Sequence, residues 1–334
     1  MGQQVYEQEI VHRAPAELGT GWVVEDVRVR TLRSPLEGSA RVPSRLLTRS
    51  SPSVRRAAGR LLYRNHEVVH RLDLRLPPGP APEILTVHDV VGWRFPDEAS
   101  PPGDAGATAR RAAAVVCPSH FSAEEVRSVL GVEAPVVIHN GVDSRFFDAH
   151  VMDETALAGL GVRPPYVLHA GGCTARKNLE GLAAAWANLE PSRHGTSLVL
   201  MGPTDQRRNR LFDPLPGTVR LGRVDDATAL GVLAAASALV VPSLYEGFGL
   251  PALEGLAAGV PVVAARRSSI PEVCGDDALL VEPDGHGLAE GIEAALSGGV
   301  EIAAMVERGR VRARLFTWEA SVAAHANVWR SVVD

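Results

Sequence analysis

The side chains best suited to chemistry in this 334-residue sequence lie between Leu239 and Glu254, which reads Leu-Val-Val-Pro-Ser-Leu-Tyr-Glu-Gly-Phe-Gly-Leu-Pro-Ala-Leu-Glu. The apolar run Ala238 to Val241 predicts a buried strand that breaks at Pro242 and Ser243. Pro251 suits the first turn of a helix, where its missing N–H costs nothing, so Ala252 to Ala258 is predicted helical. Glu246 then sits in a loop at the carboxyl end of a strand, before a helix N-terminus, where open α/β sheets bind ligands. Glu254 follows inside the helix. Two carboxylates can accept hydrogen bonds from the hydroxyls of a polyhydroxylated ligand. Gly247 and Gly249 allow close approach of backbone N–H groups, and a helix N-terminus favours an anion. The pattern suits a sugar carrying phosphate.

Two other readings fit the same residues. Gly247 to Ala252 formally matches the dinucleotide fingerprint G-x-G-x-x-A after a strand. However, Glu246 would place negative charge beside the pyrophosphate, and the fingerprint belongs to the first turn of its domain. The alternative is a plain surface turn with two solvated glutamates.

A second constellation lies upstream. Tyr166 to Ala170 predicts a strand, Gly171-Gly172 a turn, and Arg176-Lys177-Asn178 the opening of a helix running to about Leu189. Strand, glycine turn and helix make an anion cradle. Two cations at a helix start oppose its dipole, which makes sense if a diphosphate fills the gap. Of the 34 basic residues only Lys177 is lysine. A compact ammonium is therefore singled out where every other cation is a wide guanidinium fork.

Glu246 through Glu254 resembles the E-x7-E signature of retaining GT-B glycosyltransferases of family 4, the group 1 glycosyl transferases, nearest to the mannosyltransferase-like branch. The resemblance runs from about Gly2 to the C-terminal helix. It implies an α/β GT-B architecture of two Rossmann-like domains facing across a cleft, with a nucleotide-sugar held by the C-terminal one. It implies that Arg176 and Lys177 hold the leaving phosphates and Glu246 the donor-sugar hydroxyls. Glu254 would hold the ribose, and Arg223 and Val224 would pack on the base. Gly171, Gly172, Gly247, Phe248, Gly249 and Leu250 complete the donor set. His88-Asp89, at the end of the strand predicted from Glu83, resembles the family's His-Asp pair, whose histidine approaches donor sugar and acceptor. From its own residues His88 reads either as a structural histidine or as one oriented by Asp89. His70, Ser119 and Gly2 are further acceptor-side candidates. Ser119 and Ser122 are also explained as caps of the following helix.

The resemblance implies transfer of a hexose with retention to a glycan or lipid-linked acceptor. GDP-mannose is favoured by His88-Asp89 together with Ser268-Ser269-Ile-Pro-Glu, with UDP-sugars as alternatives. No cofactor and no metal are expected: the cations already supply charge, and no Asp-x-Asp stands in a metal context. Rival functions are a sugar-nucleotide epimerase or hydrolase on the same fold, and a non-catalytic nucleotide-sugar-binding homologue.

The elements that would position these residues divide at about residue 150. Residues 1–150 read as the acceptor-side domain and 151–316 as the donor domain. Residues 317–334 read as a helix crossing back. Gly2 to Leu18 is predicted helical, with Gly2 the tail of a glycine turn, so either the N-terminal domain lacks its usual first strand or the start lies inside the true reading frame. Trp22 to Leu32, His66 to Leu76, Glu83 to Asp89, Ala112 to Pro118 and Pro135 to His139 are predicted strands, and Pro35 to Pro43 a loop. Val54 to Arg64 is predicted helical, with Arg56, Arg60 and Arg64 on one face. That face is either solvated or docks on an anionic membrane carrying a lipid-linked acceptor.

Composition narrows the classes. With 46% hydrophobic and 22% charged residues the chain is globular. A net charge of −5 carries no nucleic-acid signature. Cys117, Cys173 and Cys274 have no metal-ligand spacing, and a reducing cytoplasm is expected. No apolar run approaches the roughly 18 residues of a membrane span, and Met1 to His12 is unlike a signal peptide.

Overall fold

A computed structural model describes residues 2–333 except Arg33, Pro35, Leu36, Ala81 and residues 190–194, with the side chains of Ser44 and Arg45 also left aside. The chain forms two compact units: residues 1–141 with 318–334, and residues 142–317.

The first unit holds a four-stranded parallel sheet in the order β3-β4-β5-β6, with β3 Val69–Arg71, β4 Glu83–Thr86, β5 Ala114–Cys117 and β6 Val136–Val137. The strands are short, but β4 is buried throughout, so its run Glu-Ile-Leu-Thr does not alternate. One layer is built from the helices Gly2–Leu18 and Trp318–Ser331. Tyr6, Ile10 and Ala14 pack with Trp318, Val322 and Trp329 onto Ile84, Val116 and Ile138. The helix His120–Leu130 buries Ala123, Val126 and Leu130 with Leu85, Val115 and Cys117. Its N-terminus is capped by Ser119, whose Oγ accepts the Ser122 N–H, and Gly131 ends it at φ +68°. Ser122 is not a cap. Its hydroxyl donates to the His88 carbonyl at 3.0 Å, tying the helix to the loop after β4.

Several expectations fail here for non-local reasons. Of Trp22 to Leu32 only Val29–Thr31 forms a strand, β1, and Val23 is almost fully exposed. The partner of β1 is β2, Ala40–Val42, inside the stretch read as a loop. The two make a separate parallel pair, which no alternation of residues signals. The expected strand His66 to Leu76 shrinks to β3. The helix expected over Val54 to Arg64 is Pro52–Leu62, so Arg64 lies past its end and only Arg56 and Arg60 share its surface. Arg55 is the buried one, 1% exposed. It pairs with Asp104 at 3.1 Å and donates to the carbonyls of Leu74, Arg75 and Leu76. Gly2 is the exposed first residue of its helix.

The second unit is a six-stranded parallel sheet in the order β12-β11-β10-β7-β8-β9. These are β7 Tyr166–Ala170, β8 Ser197–Met201, β9 Thr218–Gly222, β10 Ala238–Val241, β11 Val262–Ala265 and β12 Leu279–Val281. Counted within the unit, this is the doubly wound order with its reversal between β7 and β10. Both faces are covered. Leu239 and Val262 face the core that holds Leu253 and Leu256, while Val240 and Val263 face the one that holds Trp186, Leu288 and Ile292. Glycines permit the close packing: a Cβ on Gly255 would stand 2.6 Å from Leu239. Among the described residues no helix is long and apolar enough to cross a membrane.

Candidate functional site

The reversal between β7 and β10 is where a doubly wound sheet opens a crevice at its carboxyl edge. The two segments singled out in the sequence leave the sheet there: Gly171-Gly172 after β7, and the Glu246 loop after β10. The loops are laced together by backbone bonds. Leu244 N–H donates to the Arg176 carbonyl at 2.7 Å, and the Arg176 guanidinium donates to the Tyr245 carbonyl at 3.2 Å.

Lys177 Nζ donates to Glu246 Oε1 at 2.5 Å, and Arg176 Nη1 to Glu246 Oε2 at 3.1 Å. Lys177 is 8% and Glu246 7% exposed, so the ion triad lies largely out of water. Burial pushes the Glu246 carboxyl up, but the Lys177 ammonium and the Arg176 guanidinium outweigh it and hold the group below the ordinary range. Two cations thus share this one carboxylate.

Arg176 and Lys177 do not open the α-helix, as expected from sequence. They occupy a 3-10 turn, Ala175–Lys177, and the helix is Leu179–Asn188. Asn178, in the left-handed region at φ 52°, caps it by accepting the Gly181 N–H. The Asn178 amide also donates to the carbonyls of Pro242 and Pro283. One side chain thus fixes the residue after Lys177 against the loop that carries Glu246. Ser268 and Ser269 hold that loop from the other side. Ser268 Oγ accepts the Glu246 N–H at 2.9 Å, and Ser269 Oγ donates to the Glu246 carbonyl at 2.8 Å. Their segment contains the short helix Ile270–Cys274. No local sequence signal distinguishes these three residues as the anchors of the site.

Gly249 takes φ +102° before the helix Leu250–Ala257, and a Cβ there would meet Ile270 at 2.7 Å. Pro251 has no N–H, and Ala252 and Leu253 donate to the Gly249 carbonyl at 3.0 and 3.2 Å, so among the described residues the Leu250 N–H is the one in this first turn without an acceptor. Phe248 and Leu250 turn their side chains into the core, Phe248 edge-on to Phe316 at 5.8 Å, so only their backbone can face a ligand. Arg223 is exposed and Val224 half-buried just past β9.

Glu254 is half-buried in the helix, close enough to Lys177 and Asp143 to feel both charges. Burial, then the Asp143 carboxylate, raise its carboxyl to about 7 against the pull of Lys177. Between the ordinary carboxylate range and pH 7 the folded protein therefore keeps a proton that the unfolded chain has lost. This favours the fold at the acid end and is lost as pH rises through about 7. Glu254→Gln mimics the protonated form. It is expected to raise the melting temperature at pH 8, by on the order of 1 kcal/mol or more of stability, and to change little at pH 5. Equal shifts at both pH values, followed by circular dichroism, would contradict the assignment.

In the first unit, His88 follows β4. Its Nε2 is buried and has no hydrogen-bond partner among the described residues. Burial lowers the imidazole to about 4, so it is neutral at pH 7. The Tyr6 ring meets it edge-on at 4.6 Å. Asp89 accepts the Val91 N–H at 3.1 Å, a local turn contact. His70 has both ring nitrogens engaged within the unit. Trp329 donates to Nδ1 at 3.0 Å, so the proton sits on Nε2, which donates to Thr86 Oγ1 at 2.8 Å. Thr86 leads on to the Tyr6 hydroxyl, and Tyr6 to His325 Nε2 at 2.7 Å. His325 Nδ1 donates to the Ser321 carbonyl, which can only accept. This chain of bonds locks the helices Gly2–Leu18 and Trp318–Ser331 to β3 and β4. It was not visible in the sequence because its members lie up to 319 positions apart.

Known proteins resemble both halves of the chain. Residues 11–146 match the family model described as Glycosyltransferase Family 4, and residues 164–298 the one described as Glycosyl transferases group 1. The chain is 34% identical over 173 residues to O-antigen chain mannosyltransferase B of Escherichia coli, covering 49% of this chain and 45% of that protein. It is 31% identical over 237 residues to the GDP-mannose-dependent alpha-(1-6)-phosphatidylinositol dimannoside mannosyltransferase of Mycobacterium tuberculosis, covering 65% and 58%. The matches thus span about half the length of these relatives. Among solved structures, WaaG, a glycosyltransferase involved in lipopolysaccharide biosynthesis, superposes with a TM-score of 0.75 at 16% identity, covering 98% of this chain and 95% of that one. That likeness shows the GT-B fold.

Proposed function

We propose, for a chain of GT-B fold that matches the family-4, group 1 glycosyltransferases over both of its halves, that it moves a hexose from a nucleotide-sugar to an acceptor hydroxyl with retention of configuration. The observation that carries this is the Lys177–Glu246–Arg176 triad at the switch point of the second unit. Arg176, Lys177 and the N-terminus of the helix Leu250–Ala257 stabilise charge on the departing diphosphate, an electrostatic preorganisation that is often the largest catalytic term. Glu246 releases part of its grip on the cations to hold donor-sugar hydroxyls, and Glu254 holds the ribose. His88, whose Nε2 has no partner among the described residues, is proposed to contact the reacting sugar.

Mannose from GDP-mannose is the proposed donor. The chain's likeness to two mannosyltransferases, one of them GDP-mannose-dependent, supports this, as does the His88-Asp89 pair. The acceptor is proposed to be a glycan or lipid-linked sugar. Exposed Leu46, Val54 and Leu61 beside exposed Arg60 and Arg64 suit peripheral contact with an anionic membrane. Because two cations already neutralise the diphosphate, transfer is proposed to need no metal.

The test is incubation of the protein with GDP-mannose, and in parallel UDP-glucose, with mannosyl-lipid and oligosaccharide acceptors, the product anomer being read by NMR. An α-linked product from the α-linked donor, unchanged by EDTA, is expected. A β-linked product would overturn retention, and loss of activity on EDTA restored by Mg²⁺ would overturn metal independence. Consumption of the donor without transfer would favour a hydrolase or epimerase.

A further inference from the structure

Beneath the Gly171-Gly172 turn lies a charge that neither the sequence motifs nor the ion triad accounts for. Arg208, on the helix Gln206–Phe212, is 2% exposed. Among the described residues no carboxylate lies within ion-pair distance of it, although buried charges are ordinarily paired. Instead its guanidinium donates to three carbonyls: Gly171 at 2.7 Å, Gly172 at 3.3 Å and Pro203 at 3.1 Å. Its neighbour Arg207 donates to the next carbonyl, Cys173, at 3.2 Å. Three consecutive carbonyls, those of Gly171, Gly172 and Cys173, are thus turned toward two guanidinium groups.

Peptide planarity sets the consequence. In a trans peptide the N–H points opposite to the carbonyl of the same unit, and none of these bonds is cis. Drawing in the three carbonyls therefore directs the N–H groups of Gly172, Cys173 and Thr174 away from the guanidiniums. Among the described residues those three N–H groups meet no acceptor. Successive open N–H groups form an anion-binding concavity. Gly202 makes the arrangement sterically feasible: at φ +134° a Cβ there would collide with the Gly171 carbonyl. His169 fills the space below. Its Nδ1 donates to the Val240 carbonyl at 3.2 Å, and its ring lies 3.2 Å from where a Gly171 Cβ would be. Burial holds this imidazole near 3, so it adds no charge although Arg208, Lys177 and Glu246 all surround it.

We infer that Arg208, assisted by Arg207, is a positioning residue that shapes the turn after β7 into a phosphate-binding nest made of the Gly172, Cys173 and Thr174 N–H groups. The inference rests on the donor site proposed above and assigns the turn its ligand, one phosphate of the nucleoside diphosphate. The unpaired Arg208 charge adds to the attraction through the carbonyls it holds.

Two measurements on the full chain test it. In ¹⁵N-labelled protein, saturation with GDP or UDP is expected to move the amide protons of Gly172, Cys173 and Thr174 downfield, and guanosine or uridine is expected to leave them in place. Arg208→Met, which keeps the length and loses the charge, is expected to weaken diphosphate binding by about ten- to a hundredfold while leaving nucleoside affinity unchanged. Arg208→Lys is expected to fall between. Absence of amide shifts at saturation, or equal losses for diphosphate and nucleoside in a folded Arg208→Met protein, would overturn the nest. If the wild type binds neither GDP nor UDP, the donor site itself fails, a different result from binding that ignores Arg208. Should Arg208→Met not fold, the amide shifts decide alone.

Discussion

Lys177→Ala is expected to lower kcat/KM for transfer by about 10²- to 10³-fold, the range seen when one preorganised electrostatic donor is removed. The loss should fall mainly on kcat, because charge on the leaving diphosphate is greatest in the transition state. Lys177→Arg is expected to stay well below wild type. Lys177 is 8% exposed with its ammonium 2.5 Å from Glu246, and the space suits a point charge better than a planar fork. The use of arginine at every other basic position makes the same point. Steady-state kinetics decides: a rate close to wild type for either variant would remove Lys177 from the proposed mechanism.

Glu246→Gln is expected to move two observables in opposite directions. The variant loses the charge that pairs with Lys177 and Arg176, so the cations become freer to bind an anion. Affinity for the free nucleoside diphosphate should rise several-fold, roughly 1 kcal/mol for a partly buried charge contact. Transfer should nevertheless fall by about 10²-fold, since an amide is a poorer acceptor for the donor-sugar hydroxyls than a carboxylate. Weakened diphosphate binding in Glu246→Gln would mean that the carboxylate serves chiefly to orient the cations. Competition binding and turnover, measured on the same preparation, separate the two.

What could be read from the sequence was what local pattern encodes. β7 with its glycine turn, and β10 with the Glu246 loop and helix, each carry their signals within about 15 residues. Strand, turn and helix are consecutive there, so the apolar runs and Gly or Pro punctuation suffice. Glu246 and Lys177 were singled out by residue type, and the fold brings them within a hydrogen bond although 69 positions separate them. The parts that were missed depend on distant partners. Among the described residues β2 pairs only with β1, and neither strand shows alternation. Ser122 was read as a cap, yet it reaches the His88 carbonyl 34 positions away. Phe248 looked like part of a ligand loop until Phe316 claimed its ring. Arg208 and Arg55 each lie in an arginine-rich helix, and no local pattern sets them apart from their exposed neighbours. Only the packed structure shows them buried against backbone carbonyls. A buried arginine that bonds carbonyls has no sequence signature, because its acceptors are present at every residue.

The central claim is that the second unit grips a diphosphate with Lys177 and Arg176 while Glu246 faces the sugar. Calorimetric titration of GDP into wild-type and Lys177→Ala protein tests this most directly. At least a tenfold loss of affinity in the variant, about 1.4 kcal/mol, with guanosine binding unchanged, is the predicted result. Equal GDP affinity in the two proteins would contradict it.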